Sequence, residues 1–241
     1  MDAMSSTIST AAPAVWAPPA AVRLRGTLAV LAGAGEGADV YARFGARIAA
    51  DGYIVGVFAS DEGRAATEWL ASAEATPRVL VGSDRGAATA LTAVVAAASS
   101  STATAAIDGL VLAGLPVAGA DDGSAVDADR TACPVHLGVL GASTRAATAG
   151  APLPIPGADA LAGIRVPVLA IHGGADPIAP FAAAQRALSA LPILELVETV
   201  DGRHDALNDQ SHRSVAATLV LWLERLRADG VEAPIVRTVA A

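Results

Sequence analysis

Three side chains able to attack a substrate or move a proton each come just after a short apolar run of the sequence. These residues are Asp84, Asp176 and His204. A carboxylate is ionised at neutral pH and can act as a nucleophile, and a histidine oriented by a second carboxylate can act as a general base. Because short apolar runs predict buried strands, and parallel strands end at one edge of a sheet, we expect the three side chains to meet there.

Asp84 lies at the centre of the segment G-S-D-R-G, between Gly82 and Gly86. An apolar run precedes this segment and a helical pattern follows it, as in a nucleophile elbow, where a sharp turn joins a strand to a helix. Small residues two positions before and after the apex are needed there, because the apex backbone is strained and the helix packs close to the strand. The spacing therefore predicts Asp84 as the apex, with Ser83 as a secondary candidate.

A second glycine cluster, at 33–38, follows the first apolar run and precedes a helical pattern. Its letters G-A-G-E-G-A fit the dinucleotide-binding pattern G-x-G-x-x-[GA], and Asp61 follows the next run, where a ribose-binding acid could lie. A pattern that accepts alanine is weak in a chain with 60 alanines, and a short-chain reductase would need a Tyr-x-x-x-Lys pair, whereas this chain has no lysine. The residues favour a tight turn that lets a helix approach the sheet, and we expect no cofactor.

Six apolar runs alternate with helical patterns along the chain. The runs cover 26–32, 53–59, 78–81, 109–115, 166–171 and 193–200, and the helical patterns cover 38–50, 62–74, 86–98, 180–190 and 211–227. This order predicts an α/β fold with a mostly parallel sheet and helices on both faces. Residues 118–165 interrupt the repeat with Ala, Gly, Pro and Asp, which predicts a small lid-like insertion with a helix around 126–140.

Length and composition predict one domain. Of the 241 residues, 53% are hydrophobic, which is enough to bury a sizeable core. Residues 1–20 lack the charged start and apolar block of a secretory signal and are predicted to be a flexible leader, followed by a single domain over 21–241. The sequence has no unbroken run of 18 apolar residues, which a membrane-spanning helix would need, so we expect a cytoplasmic protein.

The charge balance and the single cysteine narrow the function classes further. A net charge of −8 at pH 7 repels phosphate backbones and anionic lipid, so binding of nucleic acid is not expected. A lone cysteine, Cys133, excludes a disulfide framework and a cysteine-based zinc site, and no metal is expected. The expected partner is a small-molecule substrate, and the oligomeric state is left open.

The elbow and the glycine loop resemble the α/β-hydrolase superfamily, and the likeness runs over nearly all of 26–227. It is strongest to lysophospholipases and monoacylglycerol lipases with a small lid, whose glycine-rich loop precedes a Glu and a Tyr, as Glu36 and Tyr41 stand here. The resemblance implies the α/β-hydrolase fold. It also implies an oxyanion hole formed by the backbone N–H groups of Ala34 and Arg85.

The order of the charged residues is also similar to that superfamily. Nucleophile, acid and base follow one another as Asp84, Asp176 and His204, which implies a catalytic triad. The other histidines and the cysteine are expected to be structural, packing or surface residues, and they are His136, His172, His212 and Cys133.

An aspartate in place of the usual serine leaves three functions open. The first is hydrolysis of a small apolar or amphiphilic ester, with Asp84 or else Ser83 as nucleophile. The second is an alkyl-enzyme hydrolase, because Asp84-Arg85-Gly86 resembles the elbow of fluoroacetate dehalogenases, and haloalkane dehalogenases and epoxide hydrolases attack carbon with the same group. The third is a non-hydrolytic protein, either an acid/base enzyme or a ligand-binding relative.

Groups that assist the leaving atom in such alkyl-enzyme hydrolases lack counterparts in the predicted lid. No tryptophan or tyrosine occurs in 118–165. The obvious cationic candidates there are Arg130 and Arg145, both of which we expect to be solvated at the surface.

Overall fold

The computed structural model describes residues 12–98, 107–117, 125–143, 153–228, 230–237 and 239. Its described part contains a seven-stranded sheet. The strands are β1 (Ala14–Trp16), β2 (Gly26–Leu31), β3 (Tyr53–Phe58), β4 (Arg78–Ser83), β5 (Gly109–Ala113), β6 (Val168–Gly173) and β7 (Leu194–Thr199). Their order is β1-β3-β2-β4-β5-β6-β7, and every neighbouring pair is parallel except β1 with β3. The predicted mostly parallel sheet is therefore confirmed.

Helices cover both faces of this sheet. They are α1 (Ala42–Ala50), α2 (Gly63–Ser72), α3 (Arg85–Ala98), α4 (Asp127–Arg130), α5 (Pro134–Ala142), α6 (Ala158–Ala162), α7 (Phe181–Leu188) and α8 (His212–Arg227), with a 3₁₀ turn at Ala38–Tyr41 before α1. Apolar residues of α1 and α8 pack on one face, and those of α2, α3 and α7 pack on the other. None of the helices in the described ranges is long and apolar enough to cross a membrane.

The continuous apolar runs of the central strands follow from burial on both faces. In β2, Leu28 and Val30 belong to one core cluster, whereas Ala29 and Leu31 belong to the other. Side chains alternate across a strand, so a strand between two helical layers needs apolar residues at every position. Parallel neighbours then carry their polar loop residues to one edge, and the loops after β2 and β4 lie side by side.

Two predicted segments differ from the observed backbone. The segment 1–20 was expected to be a leader, whereas Ala14–Trp16 forms an edge strand against β3; residues 1–11 lie outside the described residues. The helix expected around 126–140 is two helices, α4 and α5, because Thr131 and Cys133 are extended and Pro134 begins α5. Proline lacks the N–H that a helix interior needs, and its fixed φ suits a first helical turn.

Candidate active site

Asp84 lies on the turn between β4 and α3 in the left-handed backbone conformation, with φ of +49°. Aspartate is one of the few non-glycine residues enriched in this conformation. Two glycines fix the turn: a methyl group on Gly82 would overlap the backbone of Gly86 and Ala87, and one on Gly86 would overlap the carbonyl oxygen of Leu31. The glycine spacing therefore reflects a local packing requirement, and Asp84 stands at the apex.

The structure brings Asp84, His204 and Asp176 together at one edge of the sheet. Nε2 of His204 lies 3.3 Å from Oδ1 of Asp84, and Nδ1 lies 2.8 Å from Oδ2 of Asp176. The other oxygen of Asp176 accepts the N–H groups of Ile178 and Ala179 at 2.8 and 2.9 Å, which fixes that carboxylate. The side chains of His204 and Asp176 are fully buried, whereas that of Asp84 is 12% exposed. Asp84 is thus the member of the three that solvent reaches.

The glycine loop after β2 contacts the other oxygen of Asp84. The Ala34 N–H donates to Oδ2 of Asp84 at 3.1 Å. Glu36 and Tyr41 shape this loop, because Oε2 of Glu36 accepts the N–H of Gly33 at 3.1 Å and the hydroxyl of Tyr41 at 2.6 Å. The N–H of Gly33 therefore already has acceptors within the loop, as in the tight turn expected from the glycines.

Two other predicted residues have different surroundings. Ser83 is buried at the end of β4, whereas Asp84, one residue later at the turn, has the side chain that faces His204. The side chain of Arg85 lines a separate cavity between α2 and α3. Its predicted contribution to an oxyanion hole would come from its backbone N–H and stays a prediction.

Arg130, at the end of α4, is the functional candidate that sequence reasoning missed. It was expected to be solvated, but its side chain is only 7% exposed. One nitrogen, Nη2, lies 3.1 Å from Oδ2 of Asp84, 3.1 Å from Oε1 of Glu36 and 2.8 Å from Oδ1 of Asp205. A buried guanidinium is stable only when paired, so three carboxylates from distant segments hold this cation beside the apex residue.

The segment that carries Arg130 is fastened to the loop that carries His204. Nε2 of His136 lies 2.9 Å from Oδ2 of Asp205, and the backbone N–H of Asp205 donates to the carbonyl of Arg130 at 2.9 Å. Asp209 accepts the hydroxyl of Thr131 at 2.8 Å. His136 is thus buried and paired, which accords with a structural role and rules out a surface one. Residues 118–124 and 144–152 of the predicted lid, including Arg145, lie outside the described residues.

The site is highly charged in its resting state. Burial alone would raise the pKa of Asp84, but Arg130, His204 and the Ala34 N–H outweigh it and hold that pKa well below its usual range. Burial would lower the pKa of His204, yet hydrogen bonds to Asp176 and Asp84 and their charges raise it from 6.5 to about 10. At neutral pH His204 is therefore an imidazolium between two carboxylates, and both of its ring nitrogens donate.

The surroundings of Glu36 favour its charged carboxylate less than those of Asp84 do. Burial and the charge of Asp205 raise its pKa, and Arg130 offsets only part of that rise. The hydroxyl of Tyr41 is also held neutral, because burial and the neighbouring Glu36 raise its pKa well above the usual value. Arg130 therefore pairs with a cluster of carboxylates, and Asp84 depends on Arg130 to remain fully ionised.

Among the residues that the structure describes, no group of three His, Cys, Asp or Glu side chains could hold a metal ion. At this edge of the sheet the chain supplies a carboxylate, an imidazolium, a guanidinium and a backbone N–H. These groups can attack carbon, donate or accept a proton, and stabilise a developing negative charge.

Solved structures of lipases and esterases share this fold. A soluble variant of monoglyceride lipase from Saccharomyces cerevisiae, in complex with a substrate analog, matches with a TM-score of 0.72 at 13% identity, covering 92% of this chain and 98% of that one. The monoacylglycerol lipase of Paleococcus ferrophilus matches with a TM-score of 0.62 at 16% identity, covering 87% and 96%. A carboxyl esterase from Bacillus coagulans, in complex with glycerol, matches with a TM-score of 0.70 at 12% identity, covering 88% and 93%.

No known family model and no curated protein matches the chain. The sheet order, the elbow and the structural likenesses define the chain as a protein of the α/β-hydrolase fold, as the sequence resemblance implied. Fold alone does not fix the bond that is cleaved, so the reaction has to be argued from the site.

Proposed function

We propose that the chain is a hydrolase of a small apolar or amphiphilic substrate, with Asp84 as nucleophile, His204 as proton-transfer group and Asp176 as its orienting acid. The supporting observation is that the two oxygens of Asp84 have different partners. Oδ1 faces His204, whereas Oδ2 accepts the N–H of Ala34 and lies against Arg130. Hydrolysis through an ester on Asp84 first needs one oxygen to attack the substrate and then needs the other oxygen to be stabilised when water attacks the ester. The two sets of partners match these two steps.

The first step is attack of Asp84 on a saturated carbon that bears a leaving group, such as a halide or an epoxide oxygen. The ionised carboxylate needs no base to remove a proton, so an imidazolium at His204 is no obstacle. The bond from Oδ1 to carbon forms as the bond to the leaving group breaks, so that a halide departs as an anion, whereas an epoxide oxygen stays attached to the substrate and takes a proton from solvent. Such a substitution generates no oxyanion on a carbonyl, and the donors around Oδ2 are not needed for substrate at this stage.

The second step is hydrolysis of the resulting ester. Esterification removes the negative charge of Asp84, which is one of the causes that raise the pKa of His204. That pKa then falls, and His204 can lose its proton and activate a water molecule. As water adds to the carbonyl carbon and gives a proton to His204, negative charge develops on Oδ2, where the Ala34 N–H and Arg130 already lie at 3.1 Å. The bond between that carbon and Oδ1 then breaks, and Oδ1 takes the proton from His204 and leaves as the alcohol of the product. The new acid passes its remaining proton to His204, which restores the carboxylate of Asp84 and the imidazolium.

A second candidate is hydrolysis of a carboxylic ester, which the lipases and esterases of similar fold favour. It fits the fold, but one of the two donors expected to stabilise a substrate oxyanion, the Ala34 N–H, already binds Oδ2 of Asp84, and Arg130 lies against the same oxygen. A carboxylate next to the developing oxyanion also repels it. The alkyl-enzyme route is therefore the better match to this site.

The test is trapping of the covalent intermediate. We expect His204→Gln to accumulate an adduct, because the ester on Asp84 forms and is not hydrolysed. The protein is incubated with 1-bromobutane, 1,2-epoxyhexane, bromoacetate and 4-nitrophenyl butanoate, and the intact mass and peptide masses are measured. His212→Gln is the matched control, since His212 lies outside the site, and the double variant Asp84→Asn, His204→Gln should remain unmodified.

The outcomes separate the two reactions. An alkyl mass on Asp84, with heavy oxygen entering that carboxylate during a single turnover in labelled water, supports the proposal. Turnover of the nitrophenyl ester that increases in Asp84→Ser would favour ester hydrolysis. If none of the four probes is consumed by the unsubstituted protein and none modifies His204→Gln, the proposed function is wrong.

A further inference from the structure

A cavity of about 450 Å³ between α1 and the start of α8 gathers positive charge in an acidic protein. Its cationic lining residues are Arg43, Arg47, His212 and Arg213. Among the described residues that line it, none is acidic. We call this cavity the arginine cavity. It lies outside the Asp84 site and has no part in the proposed hydrolysis.

The charge of the arginine cavity is only weakly balanced by its surroundings. Arg47 contacts Asp51 at 3.5 Å, but its side chain is 58% exposed, and exposed pairs of this kind contribute little. Arg43 donates to the carbonyl of Asn208 and to the sulfur of Cys133, which are neutral acceptors. Positive groups gathered around one cavity repel one another, and an anion bound among them would relieve that repulsion.

The pKa of His212, the histidine of the cavity, is affected by the same positive charges. Burial lowers the pKa of His212, and the charges of Arg43 and Arg213 lower it further, while Asp209 offsets part of the effect. A bound anion would favour the protonated form of this imidazole. The cavity could therefore offer a fourth charged donor once a ligand is present.

The shape of the cavity adds a second requirement on the ligand. Its remaining lining residues, Phe44, Leu207 and Ala216, are apolar and buried. Planar guanidinium groups bind the oxygens of phosphate or carboxylate in pairs, and several of them together favour a doubly charged anion. An apolar floor beside them favours a hydrocarbon group next to the charged head.

We propose that the arginine cavity is a binding site for a free phosphate monoester that carries a short apolar group. The phosphate lies among Arg43, Arg47 and Arg213, and the apolar group lies on Phe44 and Leu207. Leu207 belongs to the loop that also carries His204, so the ligand bridges α1, this loop and α8. A ligand that binds only the folded state stabilises it, which supplies a second measurement besides affinity.

The experiment is calorimetric titration of the full chain with n-butyl phosphate at low ionic strength, and with inorganic phosphate and butanoate for comparison. We expect n-butyl phosphate to bind more tightly than either comparison ligand and to raise the melting temperature. The double variant Arg47→Gln, Arg213→Gln should weaken binding by about tenfold or more, since it removes two charged donors. Arg186→Gln is the control for loss of an exposed arginine and should leave the affinity unchanged within about twofold.

Three results would overturn this assignment. The first is absence of n-butyl phosphate binding at concentrations up to about 10 mM, where a millimolar affinity is still measurable. The second is equal weakening by the double variant and by Arg186→Gln, which would indicate a general charge effect. The third is sedimentation with phosphatidylcholine vesicles containing phosphatidic acid in the absence of n-butyl phosphate binding, which would assign the cavity to a lipid surface. All three are independent of activity at Asp84.

Discussion

The protonation state of His204 makes stability depend on pH in a direction that can be measured. The pKa of its imidazole is about 10 in the folded state, against the ordinary value of 6.5 that applies to the unfolded chain. A group whose folded pKa is raised contributes stability below its unfolded pKa and loses it as pH rises towards the folded pKa. The relevant window therefore runs from about pH 6.5 to about pH 10, on the alkaline side of neutrality.

The size of the effect follows from the same two values. At about 1.36 kcal/mol per pH unit, the rise from 6.5 to about 10 corresponds to about 5 kcal/mol of stability below pH 6.5. Between pH 7 and pH 9 the free energy of unfolding should fall by about 2–3 kcal/mol through this group. Asp84→Asn removes one of the two carboxylates that raise the pKa, so its loss over the same range should be smaller.

The assay is urea unfolding of the unsubstituted protein and of Asp84→Asn at several values between pH 6 and pH 10. Their difference cancels other alkaline titrations, because the two chains differ at one position. Nitrogen NMR of histidine-labelled protein gives a direct check, with both ring nitrogens of His204 protonated up to about pH 9. Parallel pH profiles for the two proteins, or a neutral His204 ring at pH 7.5, would refute the charged-site reasoning.

Four further substitutions, one of them a control, test the packing and the charge network. Gly86→Ala should abolish folding or cost several kcal/mol, because its methyl group would overlap the Leu31 carbonyl. The control is Gly138→Ala in α5, whose methyl group would meet nothing within 4 Å and which should stabilise the protein by up to ~1 kcal/mol. Equal melting temperatures for the two variants would contradict this reasoning. Arg130→Met should cost about 3–5 kcal/mol in urea unfolding at neutral pH, since it strands buried carboxylates, and a loss below ~1 kcal/mol would show that they are not ionised. Tyr41→Phe removes the hydroxyl bonded to the glycine loop and should cost about 1 kcal/mol in the same assay, with an unchanged midpoint as the contrary result.

Much of the fold and part of the site could be predicted because their signals are local. Continuous apolar runs identify strands buried on both faces, and the pair Gly82 and Gly86 identifies a turn that only small residues permit. Asp176 and His204 could be placed from chain order, because each follows a strand that ends at the same edge. Their distances to one another required the structure.

Arg130 could not be placed in the same way. Its partners Glu36, Asp84 and Asp205 come from three loops, and α4 lies in a segment without a strand or a clear periodic pattern. The available signal was indirect: several carboxylates predicted at one sheet edge need a cation nearby. The strand β1 was missed for a different reason, since three residues in a proline-rich stretch carry too short a pattern to identify an edge strand.

The order of the site residues along the chain has a consequence for synthesis. His204 lies 120 residues after Asp84, so at about 5–20 residues per second it leaves the ribosome about 6–24 s later. Until then the central strands β2 and β4 carry carboxylates at their ends without the imidazolium that balances them. Burial of those carboxylates is unfavourable without their cationic partners, so the edge of the sheet stays open on the nascent chain. The last strand and the loop that carries His204 are therefore expected to complete the closing of this edge, as a late step of folding during synthesis.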